Sequence, residues 1–382
     1  MGEISLSHDL KYLVIFSLVL ILPKLLVQFR IPSGITALLI GVIFAGFDPG
    51  LSTDQLFRFL AQIGITSLFV FSGLEVNFDE IREDAGYLLK YLSKWIVLLG
   101  LSAFAIQHFF NLGYRLSFIF SLGILTPSAG FIINSLHSFK VGSDQEYWIK
   151  SKAISKEIVS IILLFLALQS GDLRLMALSL GFFVGLWLIL PPIFKFFFKF
   201  ISPYAPNTEV PFLVVISLIS GVISKELGTY YLVGAFIVGL IGSRFRKDIF
   251  KESEEAIFHA LNSFFNVFLP FYFFYAGAKL SFSEFNLSAL QIGGVFLVIF
   301  IPIRIAMNTL SLKFVIKEFV QRPYEISLSL MPTLIFGLVI AGVLKNTGKV
   351  SNELVYALVF YTLVSSLLPS ILFPIQKRRV KH

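Results

Sequence analysis

Cysteine is absent from the 382 residues of the chain, and histidine is scarce. The absence of cysteine excludes disulfides, thiolate metal ligands and cysteine nucleophiles. None of the histidines has the spacing of a metal-binding motif; they are His8, His108, His137, His259 and His382. The chain also lacks a glycine-rich phosphate loop and the motifs that mark nucleophilic catalysis by serine. We therefore expect a protein that is not an enzyme and that needs neither a cofactor nor a resident metal ion.

Charged residues are few, at 14% of the chain, whereas hydrophobic residues make up 56% and the mean hydropathy is +0.85. Apolar runs recur along nearly the whole length, which is typical of a polytopic membrane protein. In a soluble protein the net charge of +8 would favour an acidic partner such as nucleic acid. Here the basic residues cluster in short loops, so we expect the lipid bilayer as a partner and no nucleic acid.

An α-helix needs about 20 residues to cross the hydrocarbon core of a bilayer. On this length the sequence predicts an all-α membrane protein, a single unit over 1–382 with about thirteen transmembrane helices. The predicted spans lie near 10–29, 32–47, 56–76, 87–110, 114–136, 147–168, 174–200, 210–224, 229–243, 256–279, 288–311, 325–345 and 353–375. If the N-terminus is external, nineteen of the 31 lysines and arginines flank the cytosolic face, seven flank the external face and five lie inside spans. This bias predicts an external N-terminus and a cytosolic C-terminus. We expect the membrane to be a bacterial inner membrane.

The two halves of the chain resemble each other at a nearly constant spacing. "FSGLEVNFDEI" from Phe71 matches "YAGAKLSFSEF" from Tyr275 at an offset of 204 residues. "TPSAGFI" and "EIVSIILL" match "MPTLIFG" and "TLVSSLLP" at an offset of 205 residues. Equivalent helices of the two copies lie seven helices apart, which is an odd number, so the second copy must be inverted relative to the first, as in many secondary transporters. We therefore predict a first repeat in 1–173, a linker helix in 174–209 and an inverted second repeat in 210–382.

A proline lies in the middle of one predicted span in each repeat. Pro127 is flanked by Thr126 and Ser128, and its counterpart Pro332 is followed by Thr333. A proline removes one backbone donor and disfavours helix at the preceding residue. The alternative is an ordinary kink, but two prolines at equivalent positions favour two broken helices, whose free ends can hold charged groups near the midplane.

Lys156 and Glu157 precede a run of eleven residues that ends at Leu168 and is apolar except for Ser160. Those eleven residues form only about 16 Å of helix, about half of a membrane, so the span must begin earlier. We expect Lys150 and Lys152 to reach the cytosolic surface, whereas Lys156 and Glu157 lie near the centre. Facing lipid there, each would cost about 2.5–3.5 kcal/mol, so both should face protein or water. The alternatives are a helix that starts at Glu157 and an ion pair that only joins helices.

Arg304 is a further charge inside a predicted span, in "FLVIFIPIRIAMNTLSLKF". Two compatible roles follow from its position. It can clamp Glu157 structurally, or it can compete with a transported cation for that carboxylate.

Four stretches in order along the chain are "IPSGITALLIGVIFAGFDPG", "LFVFSGLEVNF", "LGTYYLVGAFIVGLIGS" and "LPFYFFYAGAKLSF". They resemble the monovalent cation:proton antiporter superfamily. The similarity is greatest to its second branch, which includes bacterial sodium/proton antiporters and potassium efflux systems. The resemblance implies a homodimer in which each subunit has a dimerisation domain and a mobile core domain with two crossed broken helices.

The resemblance also implies that Glu157 is the ion-binding carboxylate and that 126–128 form the first crossover. Arg304 falls near a basic residue that many members of the family place in the core. The sequence departs from the family at Glu157, where aspartate is usual, and at Lys156, where aspartate, asparagine or glutamine is usual. "LMPTLIFGLVIAG" also replaces an Arg-Gly-Glu stretch near the last crossover.

The leading hypothesis is a secondary antiporter that exchanges a monovalent cation, Na+ or K+, for protons by alternating access. Glu157, Lys156 and Arg304 together would carry a charge of +1, so a cation enters favourably only if Lys156 loses its proton. Two alternatives remain open. One is a transporter of an anion or organic acid on the same fold, and the other is a non-transporting sensor or channel-like protein. The basic tail "QKRRVKH" fits positive-inside anchoring, and a separate cytosolic regulatory subunit is a candidate partner for it.

Overall fold

The computed structural model describes residues 8–136, 142–205, 208–245, 254–314 and 322–372. All regular secondary structure in these ranges is helical. The basic tail lies outside the described residues. The main helices are α1 (His8–Leu26), α2 (Ser33–Phe47), α3 (Gln55–Leu74), α4 (Phe78–Glu83), α5 (Ala85–Phe110), α6 (Tyr114–Leu125), α7 (Ala129–Leu136), α8 (Ser143–Gln169), α9 (Leu173–Phe196), α10 (Glu209–Glu226), α11 (Tyr231–Ser243), α12 (Glu254–Ala278), α13 (Leu287–Phe314), α14 (Pro323–Ser329), α15 (Leu334–Thr347) and α16 (Asn352–Leu372).

Local sequence signals explain where several helices begin and end. Asp54 precedes α3, and its carboxylate accepts a hydrogen bond of 3.0 Å from the Phe57 amide. Asp172 precedes α9 and accepts from the amides of Arg174 and Leu175. These carboxylates satisfy amides that have no partner inside the helix. At the other end, α15 stops at Gly348, whose φ of +63° a glycine adopts without strain.

Eight helical segments within the described residues are long and apolar enough to cross a bilayer. They are Asp9–Phe29, Gln55–Leu74, Ala85–Phe110, Tyr114–Ile133, Leu173–Ile201, Leu287–Lys313, Pro323–Thr347 and Asn352–Leu372. Three shorter apolar segments are Ser33–Phe47, Tyr231–Ser243 and Ser263–Ala278. The predicted all-α membrane fold is therefore confirmed, whereas the number of crossings stays a prediction.

The chain forms two compact units. Unit 1 comprises Met1–Glu83 and Ile158–Glu284, and unit 2 comprises Asp84–Glu157 and Phe285–His382. Each unit combines two separate segments of the chain, and Ile158–Glu284 of unit 1 includes parts of both proposed repeats, so the units do not coincide with the repeats. The repeat boundaries at 173 and 210 stay a prediction.

Unit 1 is built on close backbone contacts between α2, α3, α11 and α12. A Cβ added at Gly41 of α2 would lie 1.9 Å from the Phe274 carbonyl oxygen of α12. A Cβ at Gly277 of α12 would lie 2.0 Å from the Leu38 carbonyl oxygen of α2. Small residues at such positions let helix backbones approach each other where the hydrophobic effect contributes little, as in a membrane.

Unit 2 has α15 at its centre. In an apolar 18-residue stretch of Pro323–Thr347, the segment that contains α14 and α15, 94% of the residues are buried, whereas 22% are buried in the corresponding stretch of Leu287–Lys313. Helix α15 packs against α6 and α16, while α5 packs against α6 and α13 against α16. The segment with the second predicted break is thus enclosed by protein, which is where interrupted backbone is tolerated in a membrane protein.

Candidate functional site

Two helices of unit 2 are broken at the predicted positions. The first break separates α6 from α7 and contains Thr126, Pro127 and Ser128, all buried. The second separates α14 from α15 at 330–333 and contains Pro332 and Thr333, also buried. The sequence therefore located both breaks correctly.

The two breaks contact each other directly through Ser128. Its amide donates to the Pro332 carbonyl at 2.9 Å. Its hydroxyl oxygen accepts from the amides of Ile335 at 3.0 Å and Phe336 at 3.1 Å. Both amides belong to the first turn of α15 and have no partner within that helix, so Ser128 caps it from the other broken helix. Thr333 adds a contact of 3.1 Å between its hydroxyl and that of Ser365.

Side chains also satisfy carbonyl groups where α6 and α14 end. Tyr361 donates to the Ile124 carbonyl at 3.2 Å, and Trp95 donates to the Leu125 carbonyl at 3.4 Å. Arg304 donates to the Leu330 carbonyl at 3.0 Å, just beyond the end of α14. A positive charge is favourable there because the C-terminal end of a helix carries partial negative charge.

Arg304 is a buried part of the crossover. It donates a second hydrogen bond to the Tyr361 hydroxyl at 2.9 Å. Because Tyr361 itself bonds Ile124 at the end of α6 and Arg304 bonds Leu330 after α14, this contact links the two broken helices through one residue of α16. Both hydrogen bonds of Arg304 thus go to groups other than Glu157. This geometry suits a positioning residue for the crossover.

Helix α8 carries three fully buried charged side chains: Lys152 is 0% exposed, Lys156 2% and Glu157 1%. The prediction of burial for Lys156 and Glu157 is confirmed. Lys150 lies at the surface as expected, in an ion pair of 2.7 Å with Glu146. The expectation that Lys152 reaches the surface is wrong, because its ammonium lies 4.3 Å from the centre of the Tyr91 ring. A ring face attracts a cation through its quadrupole, which offsets part of the cost of burial.

Tyr91 and Asn308 form the centre of this buried polar cluster. The Tyr91 hydroxyl donates to Asn308 Oδ1 at 2.8 Å, and Lys156 Nζ donates to the same oxygen at 3.4 Å. Lys156 Nζ also lies 4.7 Å from the Tyr91 ring centre and 6.0 Å from that of Trp95. Glu157 follows on the helix and leaves α8 about 100° away from Lys156.

The sequence interpretation missed Asn308, Tyr91 and Tyr361. The spacing of polar residues in the sequence does indicate two of them, Asn308 and Tyr91. Arg304, Asn308 and Ser311 lie at i, i+4 and i+7 in the mostly apolar α13, so they share one face. Tyr87, one turn before Tyr91 in α5, contacts the Ser311 hydroxyl at 3.2 Å. Two matching polar faces on apolar helices indicate a polar contact inside the membrane.

Positive charge exceeds negative charge in the buried cluster. Among the described residues, the buried charged side chains are Lys152, Lys156, Arg304 and Glu157, and the charges of Lys152 and Arg304 both act on Lys156. The Nζ atoms of Lys152 and Lys156 lie 4.3 and 4.7 Å from the Tyr91 ring centre, so the distance between the two nitrogens is at most the sum of these values. If both are charged, their repulsion is roughly 1.8 kcal/mol or more at an effective dielectric constant of about 20. Among the described residues, Lys152 Nζ and Asn308 Nδ2 have no hydrogen-bond partner.

Within the ranges that the structure describes, no three histidine, aspartate or glutamate side chains form a set of metal ligands. The cluster instead offers one carboxylate, one amide, two amines and tyrosine hydroxyls. This donor set can exchange protons and can hold one small ion against a single carboxylate.

Comparisons with known proteins agree with this architecture. The family model described as "Sodium/hydrogen exchanger, transmembrane" matches residues 13–378. The chain is 21% identical over 369 residues to "Probable Na(+)/H(+) antiporter 3" of Methanocaldococcus jannaschii, with 94% of each protein covered. The solved structure of the sodium proton antiporter MjNhaP1 from Methanocaldococcus jannaschii at pH 8 has a similar fold, with a TM-score of 0.67. It shares 15% sequence identity, and 96% of each chain is covered. Since the family model spans nearly the whole sequence, the chain belongs to the transmembrane sodium/hydrogen exchanger family.

Proposed function

We propose that this protein is a secondary antiporter that exchanges a monovalent cation, Na+ or K+, for protons by alternating access. The observation that carries the proposal is Glu157, a carboxylate with 1% exposure beside the buried Lys156. A buried carboxylate is costly unless a cation or a proton neutralises it. Glu157 can hold either one but not both, which is the condition for coupled exchange. Family membership and the names of the relatives, which specify sodium and protons, support the same function.

Lys156 and Arg304 have different roles in this proposal. Lys156 is a titratable member of the site, and it favours electroneutral exchange because its proton can leave when a cation enters. Arg304 keeps the two breaks in place through Leu330 and Tyr361.

A second candidate function is supported by the excess of buried positive charge. Lys152, Lys156 and Arg304 outnumber Glu157, and such a cluster attracts an anion or organic acid if all three cations stay charged. The antiporter is the better candidate because each lysine can lose its charge by releasing a proton.

The protein is further proposed to be a homodimer in a bacterial inner membrane, with its C-terminus in the cytosol. Purified protein in detergent should have the mass of two chains by light scattering after the detergent contribution is subtracted. A monomer at low micromolar concentration would count against the dimer without affecting the transport proposal.

Purified protein in liposomes that enclose a pH-sensitive dye tests the function. Sodium, potassium and lithium chlorides are added to separate batches, and choline chloride serves as the control for chloride. Proton movement with an alkali cation and none with choline is expected. Movement with every chloride salt, choline included, would favour the anion candidate. No movement with any salt would contradict transport and favour the sensor-like alternative.

Glu157→Gln tests the proposed carrier residue in the same liposomes. We expect proton movement to fall to the level of empty liposomes, because the amide binds neither a proton nor a cation with comparable strength. Glu146→Gln is the matched control, since Glu146 lies at the surface of the same helix in an ion pair with Lys150. Exchange at the wild-type rate in Glu157→Gln would exclude this carboxylate as the carrier site.

A further inference from the structure

Lys152 is a buried lysine that the proposed exchange does not use. It lies one turn before Lys156 on the same face of α8, and both ammonium groups contact the ring of Tyr91, at 4.3 and 4.7 Å. Lys152 Nζ lies 5.5 Å from the Tyr87 ring and has no hydrogen-bond partner among the described residues. Lys156, by contrast, donates to Asn308.

The surroundings of the two amines oppose the presence of two charges. Among the described residues, the rings of Tyr87 and Tyr91 from α5 lie at the amines, the charge of Arg304 from α13 acts on Lys156, and Glu157 follows Lys156 on α8. Arg304 adds positive charge, and the tyrosines offer ring faces and hydroxyls. One aromatic ring that lies at both ammonium groups stabilises one charge much better than two, because the second charge repels the first.

We propose that Lys152 is a second proton-binding group of this site and that Lys152 and Lys156 share one proton over the face of Tyr91. When the N–H bond of one ammonium breaks, the other amine binds the proton, so the total charge of the pair is unchanged and no further reactant is needed. The two amines therefore titrate as a coupled pair, and each apparent titration step belongs to the pair and not to one lysine. The role of the pair in transport rests on the proposed function: the two lysines would hold the proton that is released when a cation reaches Glu157.

Trp95 allows the pair to be observed without measuring transport. The chain has three tryptophans, and the Trp95 ring lies 6.0 Å from Lys156 Nζ. Trp148→Phe with Trp187→Phe leaves Trp95 as the only indole, whose emission responds to a charge that appears or disappears nearby. Emission of this purified protein is recorded as a function of pH, and the midpoint of the transition reports the protonation of Lys156.

Two substitutions of Lys152 should move this midpoint in opposite directions. Lys152→Gln removes the competing amine and its charge, so Lys156 keeps its proton to a pH higher by about one unit. Lys152→Arg makes the neighbouring charge permanent, so Lys156 loses its proton at a lower pH. Shifts of opposite sign support the proposal, whereas unmoved midpoints or shifts of the same sign would overturn it. If Lys152→Gln does not fold, the Lys152→Arg midpoint decides, because only a downward shift supports the shared proton.

Two controls separate this effect from others. Lys156→Gln should abolish the transition, and a transition that persists would overturn the proposal because Lys156 would not be the titrating group. Lys150→Gln removes a lysine from the exposed face of the same helix and should leave the midpoint unchanged. A shift as large as that of Lys152→Gln would indicate a general charge effect and overturn the proposal. Opposite shifts in a protein that fails to exchange cations for protons would refute the proposed function while supporting the shared proton.

Discussion

Lys150 and Lys152 are only two residues apart on α8, yet their side chains have opposite surroundings. Two residues along an α-helix correspond to a rotation of about 200°, so the two side chains leave the helix on nearly opposite sides. Lys150 pairs with Glu146 at the surface, whereas Lys152 is enclosed by the rings of Tyr87 and Tyr91. The helix face, more than depth in the membrane, therefore decides which lysine is buried.

Gly41→Ala is predicted to destabilise unit 1, whereas Gly46→Ala in the same helix is not. A Cβ at Gly41 would lie 1.9 Å from the Phe274 carbonyl oxygen, and no atom lies within 4 Å of a Cβ at Gly46. Overpacking of this kind costs about 1–3 kcal/mol, while alanine for glycine in an open helical position gains up to about 1 kcal/mol. Thermal unfolding of the purified proteins in one detergent measures the difference. Equal stability of the two variants would argue against the close approach of α2 and α12.

At the scale of single elements, the broken helices depend on a cap that comes from a distant part of the chain. Ser128→Ala leaves two buried amides of α15 without an acceptor, and we expect a loss of about 1–3 kcal/mol. Ser121→Ala is the matched control, because this buried hydroxyl only donates to the Ser117 carbonyl in its own helix. The control should cost less than about 1 kcal/mol. Unfolding midpoints that fall equally in both variants would contradict the capping role of Ser128.

The sequence predicted the breaks well because proline acts locally. Pro127 and Pro332 interrupt a helix whatever surrounds them, and runs of apolar residues define membrane helices by length alone. The contacts of Lys152, Tyr91 and Asn308 could not be predicted in this way. They depend on how α5, α8 and α13 are rotated about their axes, and helices that face lipid and protein at once show weak amphipathic patterns. Only the spacing of Arg304, Asn308 and Ser311 pointed to the shared face of α13.

At the scale of the whole molecule, the absence of cysteine allows a direct test of orientation. Ser351 precedes α16, Ser143 begins α8, and both are exposed. The bias of basic residues predicts that Ser351 is external and Ser143 is cytosolic. Single variants Ser351→Cys and Ser143→Cys each introduce the only thiol of the chain. A membrane-impermeant maleimide added to intact cells should label the first and reach the second only after lysis. Labelling of Ser143→Cys in intact cells, with Ser351→Cys protected, would reverse the orientation.

The hydrogen bonds of the crossover can form only late in translation. The hydroxyl of Ser128 accepts from amides that are 207 and 208 residues further along the chain, and Ile124 receives its hydrogen bond from Tyr361, 237 residues later. At about 5–20 residues per second, roughly 10–50 s separate the synthesis of α6 from that of its partners. During this interval, water or the insertion machinery has to take the place of these hydrogen-bond partners at the end of α6. Termination of translation at any point before Tyr361 therefore leaves the first half of the molecule unfinished as well as the second.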